Sequence, residues 1–327
     1  MNSKQNDQGS QKPLISICIP VHNEASNIEV LYKRLDKLSA SMRDKCAMEF
    51  IFSDNHSDDE TWDILKTLAE KDTRIRAIRF SKNFGFQRSI LANYLHARGD
   101  AVMQLDADLQ DPPEMLIEFF DRWSEGYLVV YGIRRSRDEG VFTEAFRRVG
   151  YWIINKLGDH EIPCDAGDFR LMDKKIIKLL AKSTASNLYL RGSIPALGFK
   201  QIGIPYDRGP RLLGKSKFTV LKILNLGLTG ILNHSNVPLR VSSFIGAVVL
   251  LLSFLGAIYY LALRLLHPDL PAGLASIHIL VLFGIGLNCF LLGVIGEYLL
   301  RIYLLLRQDP IAIVEDSLNF ESSELLL

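Results

Sequence analysis

Two stretches of this chain run without a charged residue for longer than a bilayer is thick. Residues 241–263 (VSSFIGAVVLLLSFLGAIYYLAL) form an uncharged run of 23, and residues 272–296 a second of 25. At about 1.5 Å rise per residue, each exceeds the roughly 30 Å hydrocarbon core as a helix. Residues 238–300 hold four charged residues, Arg240, Arg264, Asp269 and Glu297, about 6% against 23% for the whole chain. Between the runs, RLLHPDLP carries two prolines and reads as a short turn at the far surface. A buried helical hairpin of a large soluble protein is the competing reading, and two adjacent uncharged runs of this length disfavour it. Two transmembrane helices are expected.

The flanking charges orient them. Lys215, Lys217, Lys222 and Arg240 precede the first run, and Arg301 and Arg307 follow the second. The intervening loop offers Arg264, His267 and Asp269. An excess of Lys and Arg on one side puts both termini in the cytoplasm. Glu297, near the end of the second run, snorkels to the interface in this reading. Ahead of the first run, Phe218, Leu221, Leu224, Leu228 and Ile231 recur at spacings of three and four among lysines. This pattern fits amphipathic helices in the headgroup layer or an ordinary core-facing helix, and its position before a span favours the interface. The small residues of GLASIHILVLFGIGLNCFLLGVIG suit helix packing in lipid, so a homo-oligomer is expected.

The rest of the chain reads as an ordinary soluble domain. With 38 Lys and Arg against 37 Asp and Glu, a formal charge of +1 gives no global reason to expect nucleic acid as a partner. The 48% apolar content excludes intrinsic disorder for the whole. The polar opening MNSKQNDQGSQK reads as a disordered tail without a signal peptide. Cys18, Cys46, Cys164 and Cys289 lack CxxC spacing and read as free thiols of a reducing compartment.

From Leu14 the pattern alternates strand and helix: LISICIPV, a helix over 28–43, MEFIFSD, a helix over 62–71, RIRAIRF, SILANYLHARG, then a strand running into LDADLQDPPE. Alternation at this spacing predicts an α/β domain with a mostly parallel sheet and helices on both faces. Such sheets bind ligands outside the carboxyl ends of their strands. Those ends carry His22, Asn23 and Glu24, then Asp54 and Asn55, then Asp106 and Asp108. Two carboxylates at positions i and i+2 of a strand end can hold one hard cation, Mg²⁺ or Mn²⁺, with a diphosphate on it. A bare DxD is a weak signal, because acidic loops are common. Arg134, Arg135 and Arg137, with Arg147 and Arg148 on an expected helix, form a basic cluster suited to a phosphate acceptor.

The series IPVHNE, SDNHSDDET, LDADLQDPPE, VVYGIRRSR and GDFRLMD resembles the inverting family-2 glycosyltransferases of GT-A fold. More narrowly, it resembles the polyprenyl-phosphate glycosyltransferases, the group of the dolichol-phosphate mannose synthases and bactoprenol glucosyltransferases. The resemblance implies that Pro20, His22 and Glu24 line the nucleotide pocket and that Asp54 contacts base and ribose. Asn55 and His56 depart from the family's second acid and glycine. Asp106, Ala107 and Asp108 fall on the metal and diphosphate motif, with Gln110 as a third metal ligand. Arg134, Arg147 and Arg148 fall on the lipid-phosphate side, and Arg211 and Lys217 on a loop that closes over the donor diphosphate. Asp165 and Asp168 fall where many members carry a general base. A lipid monophosphate is already an anionic nucleophile, so these two are assigned to positioning or weak base duty. Arg170 is the expected ion-pair partner of Asp168.

The expected organisation is a disordered tail (1–12), a GT-A catalytic domain (13–212), amphipathic interfacial helices (213–236), a two-span anchor (237–305) and a cytoplasmic tail (306–327). The expected reaction moves a hexose, glucose first, from a UDP-sugar to polyprenyl phosphate at the cytoplasmic face of the plasma membrane. Mannose or an amino sugar is the alternative donor group. A processive polysaccharide synthase would show a Q-x-x-R-W segment, and none is found. A membrane scaffold with a degenerate transferase domain is the non-enzymatic alternative, which the intact DAD, Gln110 and arginines oppose.

Overall fold

The computed structural model describes residues 12–135, 166–182, 190–209, 273–306 and 310–321, with Glu324 and scattered residues between 244 and 266. Residues 1–11 of the expected tail (1–12), Arg147, Arg148, Asp165, Arg211, Lys217, the amphipathic segment and most of the first apolar run lie outside the described residues. By its contacts the chain divides into two units. One comprises residues 1–147, 161–219 and 308–327, and the other 148–160 and 220–307.

The first unit is built on one eight-stranded sheet. Its first strands are β1 (Leu14–Val21), β2 (Ala47–Asp54), β3 (Ile75–Phe80) and β4 (Ala101–Gln104). They are followed by β5 (Val129–Arg134), β6 (Ala166–Asp173), β7 (Gln201–Tyr206) and β8 (Val314–Leu318). The spatial order is β7-β5-β6-β4-β1-β2-β3-β8. The β4-β1-β2-β3 core is parallel, as is β5 with β7, whereas β6 runs antiparallel to both β4 and β5, and β8 antiparallel to β3. This is the α/β, GT-A-like sheet expected. Because β6 runs backwards, its first residues lie at the same rim as the carboxyl ends of β1, β2, β4 and β5.

The sheet is buried on both faces, so its central strands are near-continuous apolar runs rather than alternating ones. On one face Ile15, Ile17 and Ile19 pack with Leu31 and Leu35 of α1 (Ala25–Met42), Trp62 and Leu65 of α2 (Thr61–Lys71) and Phe119 of α4 (Leu116–Ser124). On the other, Cys18, Ile51 and Val102 meet Ile90 and Tyr94 of α3 (Phe86–His96), Ile176 of α5 (Lys174–Ala181) and Ile194 of α6 (Leu190–Ala196). In α1 the apolar positions 28, 31, 35, 38 and 42 recur at helical spacing, which fixes the face it buries. A buried Leu or Phe in such a layer contributes about 1.5–3 kcal/mol.

The end of the chain returns to this sheet. The apolar letters of PIAIVE predict a strand over 310–315; the strand forms instead at Val314–Leu318, paired with β3 from Val314 opposite Phe80 to Leu318 opposite Ala77. Trp62 Nε1 donates to Asp316 at 3.2 Å, and Asn319 Nδ2 donates to the Ile75 carbonyl at 2.8 Å. Beyond it, Glu324 accepts from Arg76 at 2.8 Å and from Arg98 at 2.6 Å, while Phe320 lies 4.0 Å from the Arg76 guanidinium. Arg76 is buried and also donates to buried Glu49 at 3.1 Å; Glu49 accepts in addition from Ser16 and from the Arg98 amide.

The second unit contains α7 (Leu274–Leu306), an unbroken helix of 33 residues. Its window Phe283–Leu300 has a mean hydropathy of 1.7, and it is the one helix among the described residues long and apolar enough to cross a membrane. The helix outruns the uncharged stretch and carries Glu297 and Arg301 in its last turns.

The Arg76 cluster makes a stability prediction. Arg76→Ala strands the buried Glu49 carboxylate and is expected to cost about 3 kcal/mol. Glu324→Gln removes only the outer, part-exposed partner and is expected to cost under about 1 kcal/mol. Chemical denaturation of the detergent-solubilised chain separates the two; equal costs would refute the primacy of the buried pair.

Candidate active site

The rim is shaped by three turns that follow β1, β2 and β4. Each contains a non-glycine residue in the left-handed region: Asn23 (φ 58°), His56 (φ 60°) and Leu109 (φ 60°). That conformation is uncommon for residues with a side chain and clusters at functional sites. His56 stands where the family resemblance expects glycine, and its φ shows why glycine serves there.

The first two turns are stitched together. The Asn23 amide donates to Ser57 Oγ at 2.9 Å, the Asp58 amide to Asn23 Oδ1 at 2.8 Å, and the Glu24 amide to Thr61 Oγ1 at 3.0 Å. Asp54, fully buried, accepts from the Ser57 amide at 3.0 Å and the Ser57 hydroxyl at 2.5 Å through Oδ1. Its Oδ2 has no hydrogen-bond partner among the described residues, although Arg79 Nε approaches to 3.7 Å. Burial pushes this carboxyl above its ordinary value, against the Ser57 hydrogen bonds and the Arg79 and His22 charges. His22 Nδ1 is likewise buried and unpartnered, and Asn83 Nδ2 lies 3.3 Å from His22 Nε2. Asn83 Oδ1 in turn accepts from Asn55 at 2.8 Å. The structure therefore brings Pro20, at the end of β1, His22, Glu24 and Asp54 to one edge, with two buried polar atoms that have no hydrogen-bond partner among the described residues.

The second half of the rim is a compensated cluster of acids and arginines. Burial, then the neighbouring Asp111, Asp168 and Asp108 carboxylates, push Asp106 up to about 7. Asp108 lies two residues on, beyond Ala107, and its Oδ1 accepts the Gln110 amide at 3.2 Å. Among the described residues no group of three or more His, Cys, Asp or Glu forms a ready cation cage. The donor set is instead two carboxylates and the Gln110 amide, all hard oxygens. That suits a cation such as Mg²⁺ or Mn²⁺ that completes its shell with waters and substrate phosphate oxygens.

Asp111 closes the LDADLQD segment and is 1% exposed. It accepts from the Tyr206 hydroxyl at 2.5 Å and from Arg208 Nε at 3.0 Å, with Arg134 NH2 at 3.8 Å. Tyr206 reaches it across Gly132 of β5, where an added Cβ would come within 2.6 Å of the ring. Arg134 Nε donates to the Tyr206 hydroxyl at 3.3 Å. The arginine expected on the lipid-phosphate side is thereby tied to the metal motif through one carboxylate.

Asp168 sits at the start of β6 and is 6% exposed. Its expected partner was Arg170; the partner is Arg191 of α6, which donates to both carboxylate oxygens, at 3.0 Å and 3.1 Å from Nε and 2.6 Å from NH2. Arg170 turns to the Gly167 carbonyl at 2.7 Å. Burial alone would raise the Asp168 carboxyl, but Arg191, through its charge and hydrogen bonds, with Arg170 and Arg134, holds it below the ordinary range. A carboxylate held this way is a weak proton acceptor at neutral pH. Sequence reading missed Arg191, Asp111, Tyr206 and Arg208. Asp111 stands inside the LDADLQDPPE segment and was legible there; nothing in the local sequence pointed to Arg191.

Two measurements test the Asp168–Arg191 pair. Arg191→Gln is expected to destabilise the fold by about 3 kcal/mol, and adding Asp168→Asn to recover about half of that. Because the folded value is depressed, the contribution of Asp168 is present above the unfolded carboxyl value of about 3.9 and fades as pH falls through the lower folded one. Melting temperature against pH therefore falls more steeply below about pH 4 in the wild type than in Asp168→Asn.

Comparisons with known proteins show the family. Residues 16–180 match the glycosyl transferase family 2. A glycosyltransferase named YkcC, of uncharacterised function, from Bacillus subtilis is 36% identical over 95% of this chain and 96% of its own length. The SfII prophage-derived bactoprenol glucosyl transferase of Shigella flexneri is 32% identical over 93% of this chain and 98% of its own. A prophage bactoprenol glucosyl transferase homologue of Escherichia coli is 30% identical over 92% and 98%. The match across residues 16–180 and the near full-length similarity to these relatives lead to one conclusion: the chain belongs to glycosyl transferase family 2 and is a glycosyltransferase.

Proposed function

We propose that this glycosyltransferase moves a hexose, glucose first, from a UDP-sugar to the phosphate of a polyprenyl phosphate, with inversion, at the cytoplasmic face of the membrane. The observation that carries the reading is the junction at Asp111, which joins the acidic rim to Arg134. The near full-length similarity to bactoprenol glucosyl transferases supports the acceptor and the sugar.

The chemistry follows from the charges. A phosphate oxygen of the acceptor attacks the anomeric carbon from the side opposite the leaving group, the new C–O bond forms, and the old one breaks. The nucleotide diphosphate leaves with the bonding electrons. The acceptor needs no deprotonation at neutral pH, so the protein's task is alignment and stabilisation of the leaving group. Asp106 and Asp108, with Gln110, would hold a divalent cation that neutralises charge on the departing diphosphate. Arg134 would bind the lipid phosphate, with Arg147 and Arg148 beside it, and Arg211 and Lys217 would close over the donor. Asp54, His22, Glu24 and Pro20 would line the base and ribose. Asp168, pinned by Arg191, would orient the surrounding arginines instead of taking a proton, with Asp165 near it. Two spans, both termini in the cytoplasm and a homo-oligomer, a tetramer by resemblance, complete the proposal. A lipid acceptor gives a physical reason for a catalytic domain to carry its own bilayer anchor.

The reading is tested with a donor panel of UDP-glucose, UDP-GlcNAc and GDP-mannose, undecaprenyl phosphate, Mg²⁺ or Mn²⁺, and mass detection of the lipid product. UDP-glucose is expected to give the largest yield, and chelation to abolish it. No transfer from any donor would sink the proposal. In the same assay Asp108→Asn is expected to lower turnover at least about 100-fold, and Asp168→Asn to leave the acidic limb of the pH profile in place, the limb that an essential general base would carry.

A further inference from the structure

Arg208 is not part of the motifs that define the site, yet its guanidinium stands between two carboxylates of the LDADLQD segment. Nε donates to Asp111 Oδ1 at 3.0 Å, and NH2 lies 3.8 Å from Asp108 Oδ2. The two ends differ in kind. Asp111 is almost fully buried and holds Arg208 by a hydrogen bond within a network that includes Tyr206 and Arg134. The Asp108 end is longer than a hydrogen bond, and that carboxylate is more open, at 12% exposed. Arg208 itself is 25% exposed. The next residue is fixed to the same segment: the Gly209 amide donates to the Gln110 carbonyl at 2.9 Å, and Gln110 Nε2 lies 3.4 Å from the Gly209 carbonyl it donates to.

We infer that Arg208 is a positioning residue that occupies the charge site of the divalent cation in the donor-free protein, and yields the Asp108 end when cation and donor diphosphate enter. The inference rests on the proposed reading of Asp106 and Asp108 as cation ligands. A divalent cation beside Asp108 and a guanidinium on the same carboxylate repel each other, and the weaker of the two Arg208 contacts is the one that gives way. Asp111 keeps the other end, so the displaced NH2 group stays within one side-chain length and is available to an anionic diphosphate. Lysine cannot substitute fully, because a single ammonium lacks the two-sided fork that bridges Asp108 and Asp111.

The test is Mn²⁺ binding to the full-length, detergent-solubilised protein without donor, by titration calorimetry or the free-Mn²⁺ paramagnetic signal, followed by UDP binding at saturating Mn²⁺. Arg208→Gln is expected to bind Mn²⁺ about tenfold more tightly than the wild type and UDP about tenfold more weakly. Opposite signs are the signature, since loss of local structure would weaken both. Arg208→Lys is expected to shift both in the same directions by less, and it serves if the glutamine variant does not fold. Mn²⁺ binding in the wild type that is unchanged or weaker in the folded variants overturns the inference and leaves the proposed function standing. No Mn²⁺ binding by the wild type overturns both.

Discussion

Charge compensation at the rim is the constraint around which this domain is organised. Asp108, Asp111 and Asp168 lie close enough to Asp106 to disfavour its ionisation, and Arg134, Arg170, Arg191 and Arg208 lie among them. Isolated buried carboxylates of this kind would neutralise themselves by taking up protons. The arginines keep Asp168 charged, whereas burial and the neighbouring carboxylates push Asp106 up to about 7.

The backbone elements supply these groups from distant parts of the sequence. β4 and its turn bring the acids, β5 brings Arg134, β6 brings Asp168 and Arg170, α6 brings Arg191 and the end of β7 brings Tyr206 and Arg208. The antiparallel placement of β6 is what delivers its first residues, rather than its last, to the ligand rim. Gly132 completes the arrangement by leaving room for the Tyr206 ring to cross β5.

Much of this was legible in the sequence, and the reasons are physical. The parallel core could be read because strands buried on both faces are β-branched runs bounded by polar turns, as in LISICIPV and MEFIFSD. The acids at their ends follow from the general position of ligands in such sheets. What could not be read was pairing decided by tertiary contact. PIAIVE carries the stronger strand propensity, yet the strand is VEDSL, fixed by β3 and by Trp62 reaching Asp316. Its charged residues suit an edge strand, where they discourage pairing with another chain. Arg170, two residues from Asp168 on one strand, was the natural partner by proximity, and a helix 23 residues away supplied the real one.

The return of the chain to β3 has a consequence for biogenesis. β3 ends at Phe80 and its partner begins at Val314, after the apolar helix has been made. During synthesis the edge of β3 therefore stays open while more than two hundred residues emerge, and an open edge is a template for mispairing. Arg76, whose partner Glu324 is near the very end of the chain, waits equally long. The sheet closes only after the apolar helix has left the ribosome, so completion of the sheet is ordered in time by the position of one short strand.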